Sequence, residues 1–351
     1  MPADFLYSRV IRYVTENAWA VQPHILATMM DVLRFRAGGE RINTDEIKAR
    51  LPADHGRSPA GDICTVHEVD AAAKFGASGG GGGVAVIPLY GVISQRQSLL
   101  DDTSSNGAGL DRFLARFNEQ VANPAVSTIV LDINSPGGSV AGVAEAAAEI
   151  YMARSTKRIV AVANSLAASA AYWLAAAANE IVITPSGQVG SIGVFSVHQD
   201  LSKQLDEDGV KVTLISAGKY KTEGNPFGPL DEEALGAIQS TVDAYYSQFV
   251  ADVASGRGVK ANDVRAGYGQ GRTFTAQDAV AAKLADRIDT LDGVLNKLLG
   301  RKVGASITAE ADAPAVTAEA AESLPFPLLA ASASGASLAL RRRRFAMLGA
   351  R

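Results

Sequence analysis

Val126-Ser127-Thr128-Ile129-Val130-Leu131-Asp132-Ile133 runs directly into Asn134-Ser135-Pro136-Gly137-Gly138-Ser139, and this stretch decides the fold. A short apolar run closed by Asn, Pro and paired glycines reads as a buried strand ending in a turn. Outward from it the pattern alternates. Val140–Met152 predicts a helix, Arg158–Ala163 a strand, Ala170–Ala178 a helix and Glu180–Thr184 another strand. On the upstream side, Val84–Tyr90 predicts a strand, and Leu110, Phe113, Leu114 and Phe117 mark one face of an amphipathic helix. Strands alternating with helices of this length argue for βαβ units around a largely parallel sheet. Val210–Ile215 predicts one more strand, Asp231–Val253 a long helix and Thr275–Leu299 a closing helical portion.

The flanks differ in texture. Residues 1–75 predict a helical N-terminal extension: Phe5, Val10, Ile11 and Val14 fall at helical spacing, as do Ile25, Met29, Val32 and Leu33. Asn43-Thr44-Asp45-Glu46 resembles a helix cap. Residues 76–83 end in five consecutive glycines and predict a flexible linker. Residues 84–300 form the expected α/β domain. Residues 301–351, rich in Ala, Ser, Glu and Pro, predict a disordered tail that carries the run Arg341–Arg344.

Composition narrows the chemistry. The 351 residues are 47% hydrophobic and 20% charged, a globular balance. Cys64 is the one cysteine, which excludes a disulfide framework and a Cys-rich zinc site. The four histidines, His24, His55, His67 and His198, are scattered, so no metal and no other cofactor is expected. A net charge of −4 gives no global case for nucleic-acid binding, with the arginine run the one exception. No apolar run near the amino terminus approaches the roughly 18–20 residues of a membrane span, so a cytoplasmic protein is expected.

Four motifs lie in order within residues 84–300. The Pro136-Gly137-Gly138 turn can aim backbone N–H groups at developing negative charge. Asn164–Tyr172, with Ser169 at its centre, follows a strand and opens an apolar helix, as a nucleophile-bearing turn does. Gly187–Val194, "GQVGSIGV", is glycine-punctuated and suits pairing with an extended peptide. Ser216–Phe227 carries Lys219 and Lys221, and a lysine whose pKa is depressed by burial can act as a general base. Each motif also has a plain structural reading, as a turn, a packing face, a strand corner and a solvated loop.

Taken together, residues 84–300 resemble the S49 serine peptidases, the family of signal peptide peptidase A and of phage head-maturation proteases similar to phage lambda protein C. The resemblance makes Ser169 the nucleophile and Lys221 the general base. It places oxyanion-hole donors at Gly137, Gly138 and Ala170, and substrate-flanking residues at Gly190, Ser191, Ile192 and Gly193. Gly271–Asp289 resembles the family's closing helical signature. It further implies a ClpP/crotonase-like α/β fold of repeated ββα and βαβ units, a homo-oligomer and polypeptide substrates. Lys219 and His198 are the competing bases; Lys221 fits the family pattern better than Lys219, and His198 sits near an apparent helix start. The extensions point to a phage or prophage capsid maturation protease that cleaves scaffold, portal or capsid proteins and itself, in the host cytoplasm or the prohead. Degradation of membrane-derived peptides, thioester chemistry on the same fold and a non-catalytic capsid assembly role are the alternatives.

Overall fold

The computed structural model describes residues 18–26, 65–67, 82–96 and 107–301. The helix expected at 5–14, all but Ile25 and Leu26 of the one at 25–33, the cap at 43–46, most of the 76–83 linker and the tail after Arg301 lie outside the described residues; residues 23–26 are helical. The strands are β1 (Trp19–Val21), β2 (Thr65–His67), β3 (Gly83–Tyr90), β4 (Val92–Ser94), β5 (Gly107–Gly109), β6 (Val126–Ser135), β7 (Gly137–Ser139), β8 (Arg158–Ala168), β9 (Glu180–Ile183), β10 (Gln188–Gly190), β11 (Thr273–Thr275) and β12 (Arg287–Ile288). The helices are α1 (Leu110–Ala122), α2 (Val143–Ala153), α3 (Ala170–Ala176), α4 (Ser202–Glu207), α5 (Glu232–Arg257), α6 (Ala261–Gly267), α7 (Ala276–Ala281) and α8 (Leu291–Leu299).

Strand β6 sits at the centre because it is apolar on both faces. It pairs in parallel with β3 on one side and β8 on the other, within an eight-stranded sheet. Its Ile129, Leu131 and Ile133 face the main core with Phe117, Ile150 and Trp173. The alternate face is a valine stripe, Val84, Val86, Val130, Val160, Val162 and Val182, covered by Val294 and Leu299 of α8. Helix α1 buries Leu110, Phe113 and Phe117, with the two phenylalanine rings stacked one turn apart.

A second, four-stranded sheet has the order β1-β7-β4-β5. The chain twice lays down a long strand in the large sheet, one or two short strands in the small sheet and then a helix: β3-β4-β5-α1 and β6-β7-α2. This repeat of strands and helix is the ββα unit expected from the sequence. Two strands fall within the stretch read as helical. Trp19–Val21 pairs antiparallel with β7, and Thr65–His67 with β3. Three residues are too few to show a period, so their pairing is invisible in the sequence. The last glycines of the expected linker are also structured: Gly83 opens β3, and Gly82 O accepts from Ser127 Oγ at 3.0 Å.

Further differences lie toward the carboxyl end. The Thr275–Leu299 portion is two helices separated by β12, which pairs with β9. Val210–Ile215 has no ladder partner among the described residues and is not a strand. Val210, Val212, Leu214 and Ile215 are all exposed, the last at 95%. Alternating apolar residues supply strand propensity, but a strand also needs a neighbour with open hydrogen-bonding groups. Helix α5 shares this exposure: its first half is mostly in solvent, while Phe249, Val250 and Val253 are buried. Residues 208–248 thus stand away from the core as an arm.

Candidate active site

Strand β8 delivers Ser169 to the sheet's carboxyl edge. In its first half β8 pairs with β9, Val160 to Ala163 against Glu180 to Ile183. In its second half it pairs with β10, Leu166 to Ala168 against Gln188 to Gly190. Ser169 then turns the chain into α3 with φ 57° and ψ −121°, a backbone region that favours glycine. Holding a serine there costs on the order of 1–3 kcal/mol, and surrounding bonds must maintain it. The Ser169 N–H donates to Gly190 O at 2.7 Å, and Ser169 O accepts from Trp173 N at 3.0 Å. A serine at a helix N-cap ordinarily spends its hydroxyl on the first turn. Here the side chain makes no such capping bond.

Small residues are obligatory around this turn. A Cβ on Gly137, whose φ is 97°, would lie 2.2 Å from Ala20 O and 2.9 Å from Ser169 Cβ. On Gly138 it would lie 1.8 Å from Ile93 O. The structure therefore brings the Gly137–Gly138 turn against Ser169, as the motif order implies. Helix α3 is buried along its whole length, and Trp173 stacks on Phe249 of α5 with ring centroids 4.4 Å apart. A Cβ on Gly256 would lie 2.0 Å from Ala176 O, so α5 passes in backbone contact with α3.

The remaining residues divide. Ala170 is fully buried at the first position of α3, where an N–H has no intrahelical acceptor. The Gly137 N–H donates to Ser135 Oγ at 3.2 Å. Gly190, with φ 114°, is hemmed by Arg272 O, and Ser191, itself at φ 57°, donates its N–H to Arg272 O at 2.7 Å. Ile192 is buried, whereas Gly193 would tolerate a Cβ at ordinary contact distance. The segment then bridges to β1, Trp19 N–H donating to Phe195 O at 2.8 Å.

Lys221 stands apart from this cluster. It is exposed on the 218–224 turn of the arm, and no hydrogen bond joins it to Ser169 among the described residues. Lys219 is engaged: its Nζ donates to Glu233 Oε1 at 2.6 Å and to Tyr220 Oη at 3.0 Å. The Glu233 bond, then the Tyr220 bond, hold its pKa above the ordinary lysine value. His198 is engaged too. A carbonyl oxygen only accepts, so the Nε2 lying 3.1 Å from Asn225 O is its donor. Asp200 accepts from Ser202 N–H at 2.9 Å, and no hydrogen bond joins it to His198 among the described residues.

One buried group escaped the sequence reading. Asp132 on β6 is 4% exposed and accepts from the Tyr90 hydroxyl through Oδ2 and from Asn164 Nδ2 through Oδ1 at 3.0 Å. Burial pushes its carboxyl above the usual range, against the opposing effect of those two bonds. The available signal was a carboxylate inside the apolar run VSTIVLDI, where an ionisable group needs partners. Among the described residues no cluster of His, Cys, Asp or Glu has the makings of a metal site, and no helix is long and apolar enough to cross a membrane.

Residues 152–303 match the model of peptidase family S49. Capsid assembly protease C of Escherichia phage lambda is 31% identical over 247 residues, covering 68% of this chain and 56% of that protein. Head-tail preconnector protein GP5 of Enterobacteria phage P21 is 34% identical over 206 residues, covering 59% of this chain and 40% of that protein. The chain thus spans about half the length of these curated relatives. Among solved structures, a ClpP1 mutant from Listeria monocytogenes overlaps 60% of this chain and 94% of its own, with TM-score 0.36 and 17% identity.

Proposed function

We propose that this chain, whose residues 152–303 match the model of peptidase family S49, is a serine endopeptidase of phage capsid maturation, working through Ser169 and Lys221. The strained, uncapped Ser169 turn packed against Gly137 and Gly190 is the observation that carries this reading. Neutral Lys221 takes the Ser169 Oγ proton as Oγ attacks the substrate carbonyl. The N–H groups of Gly138 and Ala170 face the oxyanion, and that of Gly137 joins them on releasing Ser135 Oγ. Lys221 then protonates the leaving amine, and water releases the acyl group. An extended substrate lies along Gly190–Gly193. Its sources are scaffold, portal or capsid proteins and this chain itself, in the host cytoplasm or inside the prohead. The relatives named for capsid assembly and head–tail connection support that choice.

The exposed arm supports a homo-oligomer. Val210, Val212, Leu214, Tyr220, Phe227 and Leu235 together present more apolar surface than a solvated arm needs. A second copy covering them brings Lys221 out of solvent, as its role as a base demands.

A fluorophosphonate probe is expected to label wild-type protein at Ser169 and to leave Ser169→Ala unlabelled, read by peptide mass. Incubation with capsid and scaffold proteins is expected to yield fragments absent with Ser169→Ala. An unlabelled Ser169 would sink the peptidase reading. Labelling without capsid cleavage would sink the substrate assignment alone.

A further inference from the structure

We propose that Asp132 is a positioning residue for the nucleophile, acting by pinning the bulge in β8 that sets where Ser169 emerges. This rests on the serine-peptidase reading above. The register along β6 and β8 runs in step from Thr128 opposite Arg158 to Ile133 opposite Ala163. It then jumps, with Asn134 opposite Leu166, so Asn164 and Ser165 have no counterpart on β6. At this same point β8 leaves β9 and joins β10. The bulge is therefore the device that hands the strand over to the partner whose Gly190 O receives the Ser169 N–H.

Bulges redirect strands beside active sites, and something must hold the unpaired residues. Asn164 is held by its side chain, whose amide donates to Asp132 Oδ1 at 3.0 Å. The other carboxylate oxygen is fixed by the hydroxyl of Tyr90, at the end of β3. Three adjacent parallel strands are thus tied by one carboxylate at their carboxyl ends. Without the bulge, the distal part of β8 would slip by two residues. At about 3.3 Å per residue that carries Ser169 some 6–7 Å along the strand, away from Gly137 and Gly190. A two-residue slip keeps every side chain on its own face, so burial alone does not oppose it. The polar tie supplies the missing specification.

The test is the rate at which a fluorophosphonate labels Ser169, measured against probe concentration on full-length protein, with the folded fraction taken from circular dichroism. Asp132→Ala is expected to lower the limiting rate per folded molecule by at least about a hundredfold, since a displacement of only an ångström can already cost that much. The half-saturating probe concentration should move by less than about twofold, because probe contacts are untouched. Asp132→Asn is the rescue. Its Oδ1 still accepts from Asn164 and its Nδ2 donates to the Tyr90 oxygen, so the rate should stay within about threefold of wild type. Should Asp132→Ala fail to accumulate, Asn164→Ala removes the same tie from a half-exposed position and reads the same rate. A folded Asp132→Ala or Asn164→Ala protein labelled as fast as wild type overturns the proposal, as does an Asp132→Asn protein as slow as Asp132→Ala. Wild type left unlabelled would instead overturn the peptidase reading, so the two failures are distinguishable.

Discussion

Lys221→Ala protein is expected to lose about a thousandfold in the rate of peptide cleavage, and Lys219→Ala to stay within about threefold of wild type. The two lysines are two residues apart on one turn, and their surroundings separate them. Lys219 is the cation of an ion pair with Glu233 and also donates to Tyr220. Those bonds favour its charged form, and an ammonium cannot accept the proton of a serine hydroxyl. Lys221 has no carboxylate partner among the described residues. Covering by a second copy or a bound substrate can therefore bring Lys221 to Ser169 without breaking an ion pair. Single-turnover acylation of wild type, Lys221→Ala and Lys219→Ala checks this. A Lys221→Ala protein of full activity would remove the Ser–Lys dyad, and a matching loss in Lys219→Ala would move the base by two residues.

The central sheet was legible in the sequence because β3, β6, β8 and β9 are near-continuous apolar runs with glycine, proline or asparagine at their ends. Such runs report burial directly, and βα alternation orders them. The strand-to-helix turn at Ser169 was legible too, because it follows from the same alternation. Long-range pairing was not. Asp132 meets partners 42 and 32 residues away, and no local window connects Tyr90, Asp132 and Asn164. The β8 bulge is equally silent: the strand expected over Arg158–Ala163 runs on to Ala168, and nothing local marks the two unpaired residues between its halves. Trp19–Val21 and Thr65–His67 are too short to carry a period, and only their partners make them strands. Val210–Ile215 is the converse: its local pattern is that of a strand, but no described neighbour completes it. The sequence likewise did not reveal that the arm carrying Lys221 stands clear of the core.

Arg257→Ala is expected to lower the unfolding free energy by about 2–3 kcal/mol at pH 7, at the low end for a broken buried ion pair because Asp286 is partly exposed. Arg257 closes α5 just before Gly258, and its side chain is 8% exposed. Its guanidinium makes a two-pronged contact with Asp286 at 2.7 and 2.9 Å and donates to Lys283 O at 3.0 and 3.1 Å. Asp286 also accepts from Ile181 N–H on β9 at 2.7 Å, so one carboxylate joins α5 to the large sheet. The same end of α5 holds Phe249 against Trp173 in the helix that Ser169 opens. Burial raises the Asp286 pKa, but the Arg257 and Ile181 bonds outweigh it and leave the carboxyl below its usual value. A depressed carboxyl contributes stability that is complete above the unfolded pKa of about 3.9 and fades as pH falls through the folded one. Without Arg257 burial dominates, and this contribution disappears or reverses. The difference in urea midpoint between wild type and Arg257→Ala should therefore be largest near neutral pH and shrink below about pH 4. Glu180 and Asp289 are depressed as well, but they keep their own arginine or lysine partners in both proteins and cancel from the difference. Equal midpoints at pH 7, or a difference that grows on acidification, would show that this pair does not fasten α5 to the sheet.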